Sequence, residues 1–174
     1  MQHNIIAKAE SYLTFLLGEE VFAANVTKVL SILEMTKITK IPRTPDYIRG
    51  VINLRGIVLP IIDMRLKFDL SITEFTPKTC ILVLEVEVDE KIVKVGTLVD
   101  SVQEVIEMTE ADILPPPNMG SSFQSDFIEG MFKNEDSFIM LLNMDRIFKT
   151  QEINFMGSEM IFEDDTKLQE EHDA

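Results

Sequence analysis

The chain of 174 residues has no tryptophan, one cysteine, two histidines and seven glycines. A single thiol, Cys80, cannot form an internal disulfide, which is compatible with a cytoplasmic location. The histidines, His3 and His172, stand near the two ends, so a Ser-His-Asp or Cys-His arrangement is not expected. The glycines form neither a P-loop nor a G-x-G-x-x-G turn. Without cysteine clusters or central histidines, no zinc site is expected, and no cofactor is implied. No apolar run approaches the roughly 20 residues that a membrane-spanning helix needs. The start of the chain lacks a basic segment followed by a long apolar stretch. These absences point to a protein that is not an enzyme and does not insert into a membrane.

What is present is acid and apolar residues. Apolar residues make up 45% of the chain, enough for a folded core in one domain or two very small ones. Net charge is −14, which disfavours nucleic acid and anionic lipid as partners. The charge is uneven. Between Glu34 and Lys67 there are seven bases against three acids, whereas Glu159 to Ala174 carries seven acids and one base. The basic stretch suits either docking or plain solubility, and the acidic tail reads as solvated surface. Asp100, Glu104 and Glu107 lie close in sequence and leave a two-carboxylate hydrolase formally open. With 30 acidic residues some clustering is inevitable. Glu163-Asp164-Asp165 lacks the spacing of a calcium loop.

The dominant period is two. Leu13, Phe15 and Leu17 share one face of a strand, and Leu82, Leu84, Val86 and Val88 share another. Turn signals at Gly18-Glu19-Glu20, Arg55-Gly56, Asp89-Glu90 and Lys133 to Asp136 separate short strands. This spacing predicts antiparallel β structure in one or two small barrels. Helices are few: Asp63, Thr109 and Asn143 are each placed to cap a single short turn. Pro115-Pro116-Pro117 and the residues to Ser125 read as a loop, and no internal repeat is evident. Met140 and Cys80 read as core.

The stretch Ile41 to Leu66, IPRTPDYIRGVINLRGIVLPIIDMRL, is the most specific part of the chain. Pro42 and Pro45 fix the backbone before Gly50 and exclude a helix interior there. Val51 to Leu54 and Ile57 to Leu59 then form a hairpin whose tight turn, Arg55-Gly56, displays one cation. A rigid apolar hairpin presenting a single arginine suits a docking surface better than a reaction centre.

RTPDYIRGVINLRGIVLPIIDMR resembles the signature segment of the CheW family of chemotaxis adapters (coupling proteins). YLTFLLGEEVFAANVTKVLSI, VGTLVDSVQEVI and FIEGMFKNEDSFIMLLNMDRIF resemble further blocks of that family in the same order, so the likeness covers residues 11 to 150. The resemblance implies two intertwined five-stranded SH3-like barrels in one CheW-like domain, residues 1–155. Residues 156–174 fall beyond the resemblance, and their composition predicts an acidic, mobile tail. The resemblance also implies a cytoplasmic, non-catalytic adapter in two-component signal transduction. Its partners would be the histidine kinase CheA, through its regulatory domain, and methyl-accepting chemotaxis receptors, which would recruit it to the inner face of the membrane.

By the same likeness a receptor helix would lie in an apolar groove between the barrels. Val29 and Ile32 would line it from the first barrel, Val99 and Val102 from the second, and Arg55 would orient the docking surface or meet a carboxylate. The kinase would meet the first barrel near Ile38, Lys40, Ile41, Arg43 and Thr44. One departure stands out. The family often carries glutamate in a V-x-E-I pattern, where this chain reads Val29-Leu30-Ser31-Ile32. Met1 and the hydrophilic tail leave no room for a receiver or an ATP-binding domain, favouring a free-standing adapter. The alternatives are a regulatory module of a larger kinase or receiver fusion, and a barrel that binds a small molecule.

Overall fold

In a computed structural model, the residues described are 8–116 and 126–148. Among the described residues, eleven strands carry the fold. The alternation of apolar residues produces β1 (Glu10–Leu17), β2 (Glu20–Asn25), β3 (Val29–Glu34), β4 (Ile48–Leu54), β5 (Ile57–Asp63) and β6 (Cys80–Val88). Then follow β7 (Lys91–Val99), β8 (Ser101–Met108), β9 (Ile113–Leu114), β10 (Ile128–Asn134) and β11 (Ser137–Leu142). Two one-turn α-helices, α1 (Met64–Lys67) and α2 (Met144–Ile147), follow β5 and β11.

The strands form two curled sheets, in the orders β8-β1-β2-β11-β10-β9 and β3-β6-β7-β5-β4. The expectation of five strands each holds for the second sheet; the first has six, because the two-residue β9 joins its edge. The chain leaves the first sheet after β2, builds the whole second sheet, and returns with β8. Each sheet contains one parallel pair, β2 with β11 and β5 with β7. Pro60 is tolerated in β5 because pairing with β7 begins only at Ile61.

The core follows from the period of two. Leu13, Phe15 and Leu17 from the first sheet meet Leu82, Leu84 and Val86 from the second in one shared cluster. The opposite face of β6 is buried too, since Ile81 and Val83 enter a separate cluster with Ile52, Leu59 and Leu98. Aromatic rings bind the sheets together: Phe68, just after α1, lies 5.0 Å from Phe127 and 5.6 Å from Phe22. Asp100 adds a polar tie between the β7–β8 bend, the β1–β2 turn and α1. It accepts from Gly18 N at 2.5 Å and from Arg65 Nη1 at 3.3 Å.

An internal repeat is present after all. Asp46, Ile48, Gly50, Met64 and Phe68 stand 80 positions before Asp126, Ile128, Gly130, Met144 and Phe148. The backbones agree as well. A bulge interrupts pairing between Ile48 and Gly50, and another between Ile128 and Gly130. Asp63 N donates to Tyr47 O, and Asn143 N donates to Phe127 O, both at 2.7 Å. Asp63 accepts from Arg65 N at the start of α1, and Asn143 accepts from Asp145 N at the start of α2. The third expected cap, Thr109, precedes a single 3-10 turn, Glu110–Asp112, within a capping box. The expected loop from Pro117 to Ser125 and the acidic tail lie outside the described residues.

Candidate functional site

β3 is the hinge of the candidate site, because its two faces serve different surfaces. Val29 lies opposite Leu84 and Ile32 opposite Leu82, so both share the face of the core between the sheets. Ser31 lies opposite Val83 and Leu33 opposite Ile81, on the face of the other core. A bulge at Leu30, between Val29 and Ser31, sets this division.

The proposed groove residues therefore separate. Val29 and Val102 are half-buried against the shared core, and Ile32 is 49% exposed beside it. Val99 is fully buried, so its side chain is core and offers no wall to a groove in this conformation. Val29 and Ile32, expected on one barrel, do share a sheet, the second; Val99, expected with Val102 on the other barrel, belongs to the second sheet too, and Val102 to the first.

Arg55 stands on the other side of β3. Arg55 and Gly56 both take positive φ, 54° and 85°, which gives the tight twisted turn of a two-residue hairpin. Asn53 Oδ1 accepts from Gly56 N at 2.7 Å and fixes that turn. Arg55 lines an apolar cavity of about 400 Å³ with Leu30, Ser31, Leu33, Leu54 and Lys94. Ser31 and Arg55, distant in sequence, thus share one cavity, and no carboxylate lines it.

The residues expected to face the kinase border the second sheet, the sheet of Val29 and Ile32, because Thr39 bridges to Val51 of β4. Ile38, Lys40 and Thr44 line a recess of about 740 Å³ with Arg49, Ile72 and Phe75. Ile41 is half-buried and Arg43 is exposed at φ 61°; neither lines that recess. Like Ile72, Phe75, 54% exposed, is a large apolar group here that sequence reasoning missed. The Arg49 guanidinium lies 4.9 Å from its ring centroid and donates to buried Asp63 at 2.9 Å.

Much of the basic stretch proves to be internal. Arg49 pairs with Asp63, Arg65 pairs with Asp100, and Lys67 lies 4.6 Å from the Tyr47 ring centroid. Asp63 is the centre of this region. It accepts from Arg49, from the Arg65 and Leu66 backbone, and from the Thr73 backbone and hydroxyl.

In the repeat, the position of Arg49 is taken by Glu129. Glu129 lines a recess of about 680 Å³ with Glu10, Tyr12 and Lys28. Burial, then the nearby Glu10 charge, pushes the Glu129 carboxyl above its ordinary value. Burial, then a hydrogen bond to Glu10, pushes the Tyr12 phenol up to about 12. The two copies of the repeat thus carry opposite charge on their outer recesses.

Little here resembles reaction chemistry. Among the described residues no group of three histidine, cysteine or acidic side chains could hold a metal ion. Cys80 is half-buried rather than sealed in the core, and burial raises its thiol above the usual value. No described helix is long and apolar enough to cross a membrane.

Comparison with known proteins agrees with this geometry. Residues 11–152 match the family described as CheW-like domain. The chain is 35% identical to chemotaxis protein CheW of Rhizobium meliloti (strain 1021), over 80% of this chain and 88% of that one. It is 29% identical to protein FrzA of Myxococcus xanthus, over 81% and 86%. The crystal structure of scaffolding protein TtCheW from Thermoanaerobacter tengcongensis superposes with a TM-score of 0.71. It is 31% identical and covers 83% of this chain and 96% of that one. The fold, the repeat of bulged hairpins and the match over most of the sequence lead to one conclusion: this chain belongs to the CheW-like domain family.

Proposed function

We propose that this protein is a non-catalytic chemotaxis adapter that couples the cytoplasmic tips of chemoreceptors to the histidine kinase CheA. The observation that carries this reading is the exposed Ile32, on the same strand as Val29, which with Val102 packs half-buried against the core shared by the two sheets. An amphipathic receptor helix would set its apolar face there. A second surface is separate from it. The recess of Ile38, Lys40, Thr44 and Phe75 would take the regulatory domain of the kinase. Two sheets with a shared core hold these surfaces in a fixed relation, as an adapter requires. The protein would work in the cytoplasm and reach the membrane through receptors.

Residues 1–155 would act as one unit and 156–174 as an appendage. The test is co-sedimentation with receptor-containing membranes, with and without the kinase. Recruitment of kinase that requires this protein, and that weakens in a folded Ile32→Glu or Arg55→Ala variant, supports the adapter. If the protein pellets with neither partner and leaves kinase recruitment unchanged, the reading fails.

A further inference from the structure

The cavity beside Arg55 has a composition that calls for a particular occupant. Its walls are leucines 30, 33, 54 and 59, and its charged groups are Arg55 and Lys94. Among the described residues, neither cation makes an ion pair or a side-chain hydrogen bond. Glu85 lies opposite Lys94 on the neighbouring strand without forming an ion pair with it. In a chain of net charge −14, this cavity is lined by two unpaired cations and by no acid, whereas Asp46 lies within the basic recess of Phe75. Its complement is a segment with large apolar side chains next to carboxylates.

This chain contains such a segment. Residues 160–165 read Met-Ile-Phe-Glu-Asp-Asp, three apolar side chains followed directly by three acids. The path to the cavity is short. Asp145 of α2 pairs with Lys28 at 2.8 Å, and Lys28 stands two residues before Leu30 of the cavity wall. The residues between 148 and 160 can span roughly 36 Å when extended. The end of the described chain therefore lies within reach of the strand that bears the cavity.

We propose that residues 160–165 dock in this cavity within the same molecule. Ile161 and Phe162 fill the apolar floor, and Glu163 to Asp165 face Arg55 and Lys94. Ser31 is what leaves the place open. Its side chain is short, it shares the cavity with Arg55, and a glutamate there would occupy the guanidinium from within. The docking itself does not depend on the adapter reading.

The experiment uses full-length protein and its backbone amide NMR spectrum. Phe162→Glu should shift the resonances of Leu30, Ser31, Leu33, Leu54 and Arg55 while the rest of the folded spectrum stays in place. Ser31→Glu should release the tail in the same way, giving the tail amides of both variants one common set of positions. A synthetic peptide of residues 157–167, added to Phe162→Glu, should return the cavity resonances saturably towards wild type. The proposal is overturned if Phe162→Glu alters only tail resonances, which leaves the cavity to an external acidic partner. It is also overturned if the wild-type shifts depend on protein concentration, because the occupant is then a second copy's tail. Neither result bears on whether the protein recruits kinase to receptor membranes.

Discussion

Gly50 and Gly130 occupy the same place in two copies of one hairpin, each just past a bulge, but only Gly50 lies at positive φ, at 138°. A Cβ on Gly50 would collide with the Thr39 backbone carbonyl, a rigid neighbour that cannot swing away. A Cβ on Gly130 would meet the Ile113 side chain and, at 2.8 Å, Leu114 O. Gly50→Ala should therefore cost at least about 3 kcal/mol, combining clash and backbone strain. Gly130→Ala should cost less, because the two-residue β9 can shift. Urea denaturation of the two variants checks the order, and a Gly130→Ala as damaging as Gly50→Ala would count against it.

Asp63 should be the most sensitive polar position. It is fully buried and accepts five hydrogen bonds, including one from Arg49. Asp63→Ala strands those donors and should cost about 3–5 kcal/mol. Asn143, its counterpart in the repeat, caps α2 through one such bond, and Asn143→Ala should cost only about 1 kcal/mol. Thermal or urea unfolding of both variants measures the contrast.

Ile32 and Val99 should respond in opposite ways. Ile32→Glu changes an exposed side chain, so stability should move by no more than about 0.5 kcal/mol. Binding to receptor membranes should fall by about tenfold or more if one apolar anchor is lost. Val99→Ala opens the core and should cost roughly 1–3 kcal/mol, with receptor binding by the folded fraction retained. Pairing each melt with a sedimentation assay separates the two roles.

Glu129 should make stability depend on pH. Its folded carboxyl is raised above the ordinary value of 4.5, so the folded state holds a proton that the unfolded state has released. That group's contribution therefore weakens as pH rises through this window. Glu129→Gln should raise Tm at pH 7 and lose its advantage at pH 4. The gain is small, because Glu129 is exposed at the rim of its recess, where solvent offsets much of the burial and screens Glu10. A variant less stable than wild type at pH 7 would contradict this account.

Local chemistry made several elements legible in the sequence. The Arg55-Gly56 turn and the Asp63 and Asn143 caps are written in adjacent residues, and the structure places them where those residues predict. The repeat was hidden because its copies agree at backbone-determining positions, such as Gly50 and Gly130, while strand positions between them diverge. Spatial neighbours were harder still. Ser31 and Arg55 line one cavity only because β3, paired with β6, and the β4–β5 turn border the same space. A single bridge, Thr39 to Val51, ties Ile38 to Thr44 to the second sheet, and periodicity does not register it. Periodicity cannot say which valine is lid and which is core, so Val99 and Val102 looked alike until the sheets were closed.

The excursion of the chain out of its first sheet fixes an order of events during synthesis. β1 and β2 leave the ribosome before the other described strands, yet their outer neighbours, β8 and β11, come after the entire second sheet. The second sheet has all its strands once Val99 has been translated and can close while the first is still a bare hairpin. That hairpin presents two open edges for most of translation, so its pairing is the late, slow step. A newly made chain is thus most exposed to capture by chaperones, or to pairing with a neighbouring nascent chain, at β1 and β2.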